Sequence, residues 1–171
     1  MEAIGVTQVR QGGMDDLPWI RSSWPDAADV LERHLVGQQA GGQVVLVARN
    51  GSQAVGCVVI RWTGIDTPVA RASFPEAPEA AHLFVRRESR NGGVGTALMR
   101  SAEQLVVARG FHQLVLAVGL ENPGAARLYE RLGYLRSGIV ELSEYDYTDA
   151  SGIDRHAVEW NECRVKEALI G

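Results

Sequence analysis

The segment Arg90-Asn91-Gly92-Gly93-Val94-Gly95-Thr96 limits what this chain can fold into more than any other stretch. An apolar run precedes it, residues 79–85, with Ala81, Leu83 and Val85 expected on one face of a strand and His82 and Phe84 on the other. Ala97, Leu98, Ala102, Leu105 and Val106 follow at helical spacing and predict a helix to about Arg109. Gly110 supplies a left-handed cap, with Phe111 placed for the contact beyond it. A glycine-rich turn from strand to helix frees several backbone N–H groups and aims them, with the positive end of the helix dipole, at one point. Such a turn is either an anion site suited to a phosphate or pyrophosphate, or a tight structural turn and no more. Gly93 and Gly95 let a ligand approach the backbone without a Cβ in the way. No Lys-Ser or Lys-Thr follows the glycines, so the nucleotide P-loop pattern fails. Leu98 stands where the dinucleotide fingerprint needs a third small residue, so that pattern fails too.

The rest of the chain supplies a frame for this turn. Residues 3–10 read as a first strand, and a helical region starts near Met14-Asp15-Asp16 and is interrupted at Pro25. Asp26 reads as the cap of a second helix to about Gln38, with Val30, Leu31, His34 and Leu35 on one face. Residues 43–49 and 54–62 form a hairpin around Asn50-Gly51, and residues 64–78 read as a long loop. The apolar run 113–118 suits a central strand. Asn122-Pro123 opens a helix that ends at Gly133. Two strands, about 134–145 and 154–165, surround a turn at Asp149-Ala150-Ser151-Gly152. The order β-α-α-β-β-β-α-β-α-β-β describes one α/β domain, residues 1–171, around a mixed sheet.

Composition removes several function classes. A net charge of −4 argues against a nucleic-acid binder, which needs a basic surface. Cys57 and Cys163 lack CxxC spacing and read as buried free thiols, and the four histidines form no ligand cluster, so no metal is expected. No stretch approaches membrane-spanning length, and residues 1–30 lack a basic segment followed by an apolar run, so a cytoplasmic protein with no membrane partner is expected. Asn50-Gly51-Ser52 fits a glycosylation acceptor in form, but the hairpin turn accounts for it.

Two motifs together carry a resemblance. Arg90-x-x-Gly93-x-Gly95, with a strand before it and Ala97-Leu98-Met99 after it, resembles the acetyl-CoA signature of the GNAT N-acetyltransferase superfamily. Downstream, Asn122-Pro123-x-Ala125-Ala126-x-x-Tyr129-Glu130-x-x-Gly133-Tyr134 is a second feature of that family in the right order. The resemblance implies that the amides of Arg90, Asn91, Gly92, Gly93, Val94, Gly95 and Thr96 hold the coenzyme A pyrophosphate. It also implies that the backbone of Leu83, Phe84 and Val85 pairs with the pantetheine arm, with an N–H near Phe84–Val85 on the thioester carbonyl.

By the same resemblance Tyr129 protonates the departing thiolate, while its helical spacing with Ala125 and Leu132 equally fits core packing. Asn122 is a helix cap on physical grounds and, with Ala125, a coenzyme contact by family analogy. Glu79 falls where family members carry a catalytic glutamate, and a solvated strand-end carboxylate is the bland alternative. His82 competes for the base's role, since its ordinary pKa suits it, but strand alternation places it opposite Glu79. Arg86 and Arg87 read as solvated charge or phosphate contacts. Glu141, Glu144 and Asp146, with Tyr145 and Tyr147, read as a polar strand face or a site for a cationic acceptor. The implied activity is transfer of acetyl from acetyl-CoA to a small-molecule or peptide amine by a monomer or homodimer. A catalytically inactive coenzyme-binding domain and the use of another acyl chain are the alternatives.

Overall fold

The computed structural model describes residues 6–148, 151–167 and 169. Seven strands form one sheet: β1 (Gln8–Gln11), β2 (Gln43–Asn50), β3 (Gln53–Arg61), β4 (Glu79–Val85), β5 (Leu114–Gly119), β6 (Leu135–Thr148) and β7 (Asp154–Lys166). Their spatial order is β1-β2-β3-β4-β5-β7-β6. Every neighbouring pair is antiparallel except β4 and β5, which run parallel. The helices are α1 (Leu17–Ser23), α2 (Pro25–Gln39), α3 (Pro68–Ser73), α4 (Val94–Ala108) and α5 (Pro123–Arg131).

The sheet is covered on both faces, which is why β2 and β3 are apolar almost throughout. Leu98, Met99, Ala102 and Val106 of α4 pack with Tyr129 and Tyr134 against Leu46, Val58, Ile60, Leu114 and Leu116. On the other face Ile20, Trp24, Leu31 and Leu35 pack against Val45, Val47, Cys57 and Val59. A smaller cluster, Ile65, Ala70, Ala77, Val115, Cys163 and Val165, lies beneath α3.

The element order agrees with the sequence reading apart from α3, a six-residue helix inside the stretch expected to be a loop. It is held from outside: the Glu141 carboxylate on β6 accepts from the Val69 and Ala70 amides at 2.7 and 2.9 Å. The helical region is interrupted at Trp24, and Pro25 opens α2 at its first position, so the cap is Trp24 rather than Asp26. Asp26 instead lies in the first turn, where the helix dipole favours a carboxylate. Val30, expected on the buried face of α2, is exposed. The first strand is Gln8–Gln11; the part of its expected range at residues 3–5 is outside the described residues, as are Asp149 and Ala150 of the last turn.

The main departure is on β4. Cys57 pairs with Phe84 and Val59 with Ala81, so the two residues His82 and Leu83 oppose Val58 alone. His82 takes the left-handed backbone conformation, φ 50°, that this β-bulge requires. The bulge breaks the alternation: Leu83 and Val85 share the α4 core with Ala80, not with Ala81.

Close approach of α4 to the sheet depends on Gly56, whose Cβ would stand 2.9 Å from the Phe84 carbonyl oxygen and 3.0 Å from Leu98 Cδ1 and Val94 Cγ1. Gly56→Ala is therefore expected to lower stability by about 1–3 kcal/mol, the usual cost of overpacking, measurable by urea denaturation.

Candidate active site

The turn after β4 begins with a short 3-10 segment, Arg87–Ser89, and passes through Asn91 (φ 61°) and Gly93 (φ 85°) into α4. Gly93 is the cap residue, and no side chain caps this helix end, so the first amides of α4 have no intrahelical or side-chain acceptor. Asn91, Gly92 and Gly93 are exposed, Gly95 and Thr96 half-buried, and Val94 turns its side chain into the core. The two glycines serve different ends. Gly93 has open space around a would-be Cβ, and its left-handed φ is what excludes other residues. At Gly95 a Cβ would press on Leu128 of α5 at 3.0 Å, so this glycine serves helix packing. Arg90 donates from Nε to the Val85 carbonyl at 3.1 Å and ties the turn to the end of β4. Arg86 donates to the Ser23 carbonyl and pairs with Glu88, bracing α1 against the same end.

A cleft leads to this turn. β4 and β5 share one register pair, Glu79 with Val115, and then part. From Ala80 to Val85 the β5-facing edge of β4 has no strand partner, while β3 holds its other edge through Gly56–Val85 and Cys57–Phe84. Exposed Phe84 lies on the α2 side and lines a cavity of about 240 Å³ with Trp24, Ala27, Val30, Leu31 and Cys57. Arg86, Arg87 and Arg90 also border it. Burial pushes the Cys57 thiol up to about 12, so it is an inert part of the wall.

On the α4 face, the Asn122 side chain accepts from the Ala125 amide at 3.2 Å and starts α5. That helix carries Tyr129 into the core at 7% exposure, edge-on to Tyr134 with ring centroids 6.0 Å apart. Tyr134 is anchored by its hydroxyl on Glu103 at 2.9 Å, and Lys166 holds the same carboxylate. The Tyr129 hydroxyl makes no hydrogen bond among the described residues, and burial pushes its pKa up to about 12.

Glu79 lies on the opposite face at 6% exposure. Its Oε2 accepts from Arg61 Nη1 at 3.3 Å, and the same Nη1 reaches Asp66 at 3.1 Å. Burial pushes the Glu79 carboxyl up to about 7, with the Arg61 charge opposing the shift and Asp66 reinforcing it. Contrary to simple alternation, His82 shares this face: its Nε2 is 3.1 Å from Arg61 Nη2, and its ring centroid is 4.4 Å from that of His34. Partial desolvation of the ring, then the charges of His34 and Arg61, hold His82 below the ordinary histidine range. The residue keeps solvent access. Sequence reading missed Arg61, Asp66 and the pairing of His34 with His82, because a strand-end arginine and a helix histidine carry no motif. The last hairpin is already engaged: Glu141 caps α3, while Asp146 and Glu144 meet His156 at 2.7 and 3.6 Å.

The sheet thus holds a cleft between its two parallel strands that ends on an amide-rich turn. Residues 9–134 match the family described as Acetyltransferase (GNAT) family, and the chain belongs to it. The mouse protein N-acetyltransferase 8 is 31% identical over 113 residues, 66% of this chain and 46% of that relative. The chain thus spans about half the length of such relatives. A ribosomal-protein-alanine N-acetyltransferase from Brucella melitensis shares the fold with a TM-score of 0.66 at 19% identity, covering 94% of this chain and 99% of that one. A GNAT family acetyltransferase from Elizabethkingia anophelis with acetyl-CoA bound does so with a TM-score of 0.60 at 13% identity, covering 94% and 97%.

Burial of Glu79 makes stability depend on pH. Between its ordinary value of 4.5 and its folded value of about 7, the unfolded chain has released the proton and the folded chain has not. Stability therefore falls as pH rises through this window. Glu79→Gln is expected to remove about 1–3 kcal/mol of the difference between pH 5 and pH 8, read by urea denaturation at both.

Proposed function

We propose that the protein transfers an acetyl group from acetyl-CoA to a primary amine by direct attack in a ternary complex. The observation that carries this reading is the cleft itself: it ends on unpaired amides, with Glu79 on one face of the sheet and Tyr129 on the other. The coenzyme fits the donor set, since a pyrophosphate needs converging N–H groups and little side chain, which is what residues 90–96 offer. The relative with acetyl-CoA bound supports the same coenzyme. Acetyl-CoA, when bound, supplies the acetyl group activated as a thioester.

The chain's own groups supply the rest. The turn amides hold the pyrophosphate, and the free edge of β4 pairs with the pantetheine arm as an added strand would. An N–H near Phe84–Val85 donates to the thioester oxygen as charge builds on it, a contribution on the order of a hundredfold in rate. Glu79, poised near neutral pH, takes the proton that an ammonium must lose before it can attack. Tyr129 keeps its proton at neutral pH and gives it to the departing sulfur from the opposite face. This arrangement lets the amine enter from the α2 side and the thiol leave on the α5 side. The acceptor is a small-molecule or peptide amine whose apolar part fits the cavity beside Phe84.

Calorimetry with acetyl-CoA tests the coenzyme. The wild type should bind, and Gly93→Trp should lose at least tenfold in affinity while staying folded. No binding by folded wild type would overturn the reading. A panel of amino acids, polyamines, aminoglycosides and peptide N-termini then tests turnover, and binding without turnover would favour an inactive coenzyme-binding domain. With a panel amine that reacts, Tyr129→Phe should lower kcat about a hundredfold. It should change stability by less than about 1 kcal/mol, since the lost hydroxyl has no partner among the described residues.

A further inference from the structure

The cluster around half-buried Arg61 has a direction built into it. A guanidinium carries five N–H donors and no acceptor, so every polar atom facing it must accept. His82 Nε2, 3.1 Å from Arg61 Nη2, is therefore the unprotonated nitrogen of the ring, and a neutral His82 carries its proton on Nδ1. Glu79 Oε2 is likewise occupied by Arg61 Nη1, while Oε1 accepts no bond among the described residues. The bulge at His82 brings these two groups onto one arginine, which regular alternation would have prevented.

We propose that Arg61 is a positioning residue for proton transfer, holding Glu79 as the proton acceptor and fixing His82 as a hydrogen-bond donor that cannot serve as the base. The inference rests on the reading of Glu79 as the general base. In the step it describes, an N–H bond of the substrate ammonium breaks and an O–H bond forms at Glu79 Oε1. Arg61 keeps all its protons, and the positive charge lost by the amine is balanced by neutralisation of the carboxylate. His82 is denied the role because its one free lone pair already faces Arg61, and because His34 on α2 and Arg61 on β3 both oppose a charge on its ring. Arg33 acts in the same sense on His34. Around Glu79 the charged and titratable groups are Arg61, Asp66 and, from β7, Cys163. Arg61 is the cation among them, so its removal must raise the pH at which Glu79 becomes a carboxylate.

The test is solution NMR of the full chain with 13C-labelled glutamate carboxyls and 15N-labelled histidine, assigned through Glu79→Gln and His82→Gln. The expected result at pH 7 is the Nδ1–H tautomer at His82. Arg61→Gln should move the Glu79 titration midpoint upward by about one pH unit or more, with Arg61→Lys restoring at least half of that shift. The Nε2–H tautomer in the wild type overturns the proposal, as does a Glu79 midpoint that Arg61→Gln leaves unmoved. If Arg61→Gln does not fold, the wild-type tautomer decides alone. Failure of the Glu79 reading has its own signature: Glu79→Gln would retain full acetyl transfer from acetyl-CoA to the panel amines with the wild-type His82 tautomer intact. The proposal would fall with it.

Discussion

A strand that carries one residue more than its partner has to bend, and in this chain the extra residue is on β4 at the His82–Leu83 pair facing Val58. That bend puts His82 on the same arginine as Glu79. Before the bulge, Glu79 pairs with both Arg61 and Val115, and the sheet is continuous. β4 leaves β5 directly after Glu79, ahead of the bulge, and from there keeps β3 alone, so a row of backbone donors and acceptors has no strand partner among the described residues. Unpaired backbone at such a place is costly unless water or a ligand satisfies it.

The same physical effect gives the two faces of the cleft opposite proton chemistry. Desolvation disfavours the charged form of an acid, whether carboxyl or phenol. Applied to Glu79 it raises the group to about 7, where it can still accept a proton at neutral pH. Applied to Tyr129 it raises the group to about 12, where the proton is firmly kept. In the proposed reaction the first would serve as base and the second as acid. The arginine beside Glu79 then tunes the result, limiting how far burial can push it.

Rigidity comes from close approaches that small residues allow. Gly56 lets α4 settle on the sheet, and Gly95 lets Leu128 of α5 settle on α4. Arg90 and Arg86 tie the ends of the turn to β4 and α1, and Asn122 fixes where α5 begins. The turn's amides are therefore held in place by the fold itself, and in the proposed reading the ordering cost would not fall on binding.

The sequence by itself determined the element order apart from α3, the glycine turn, the capped start of α5 and the family. These are local matters: periodicity, turn residues and caps act within a few positions of one another. It also singled out Glu79 and Tyr129, through the motifs around them. Only the tertiary structure decided which face His82 takes, because a bulge depends on the partner strand's register and leaves no mark in its own residues. Only the fold brought Arg61, Asp66 and His34 to that site, across 18, 13 and 45 positions of chain counted from Glu79. Likewise α3, short and weak on its own, exists where Glu141 on a distant strand accepts from its first amides. Contacts between residues far apart in the chain are written in no local pattern, and those contacts decide how the site's protons are arranged.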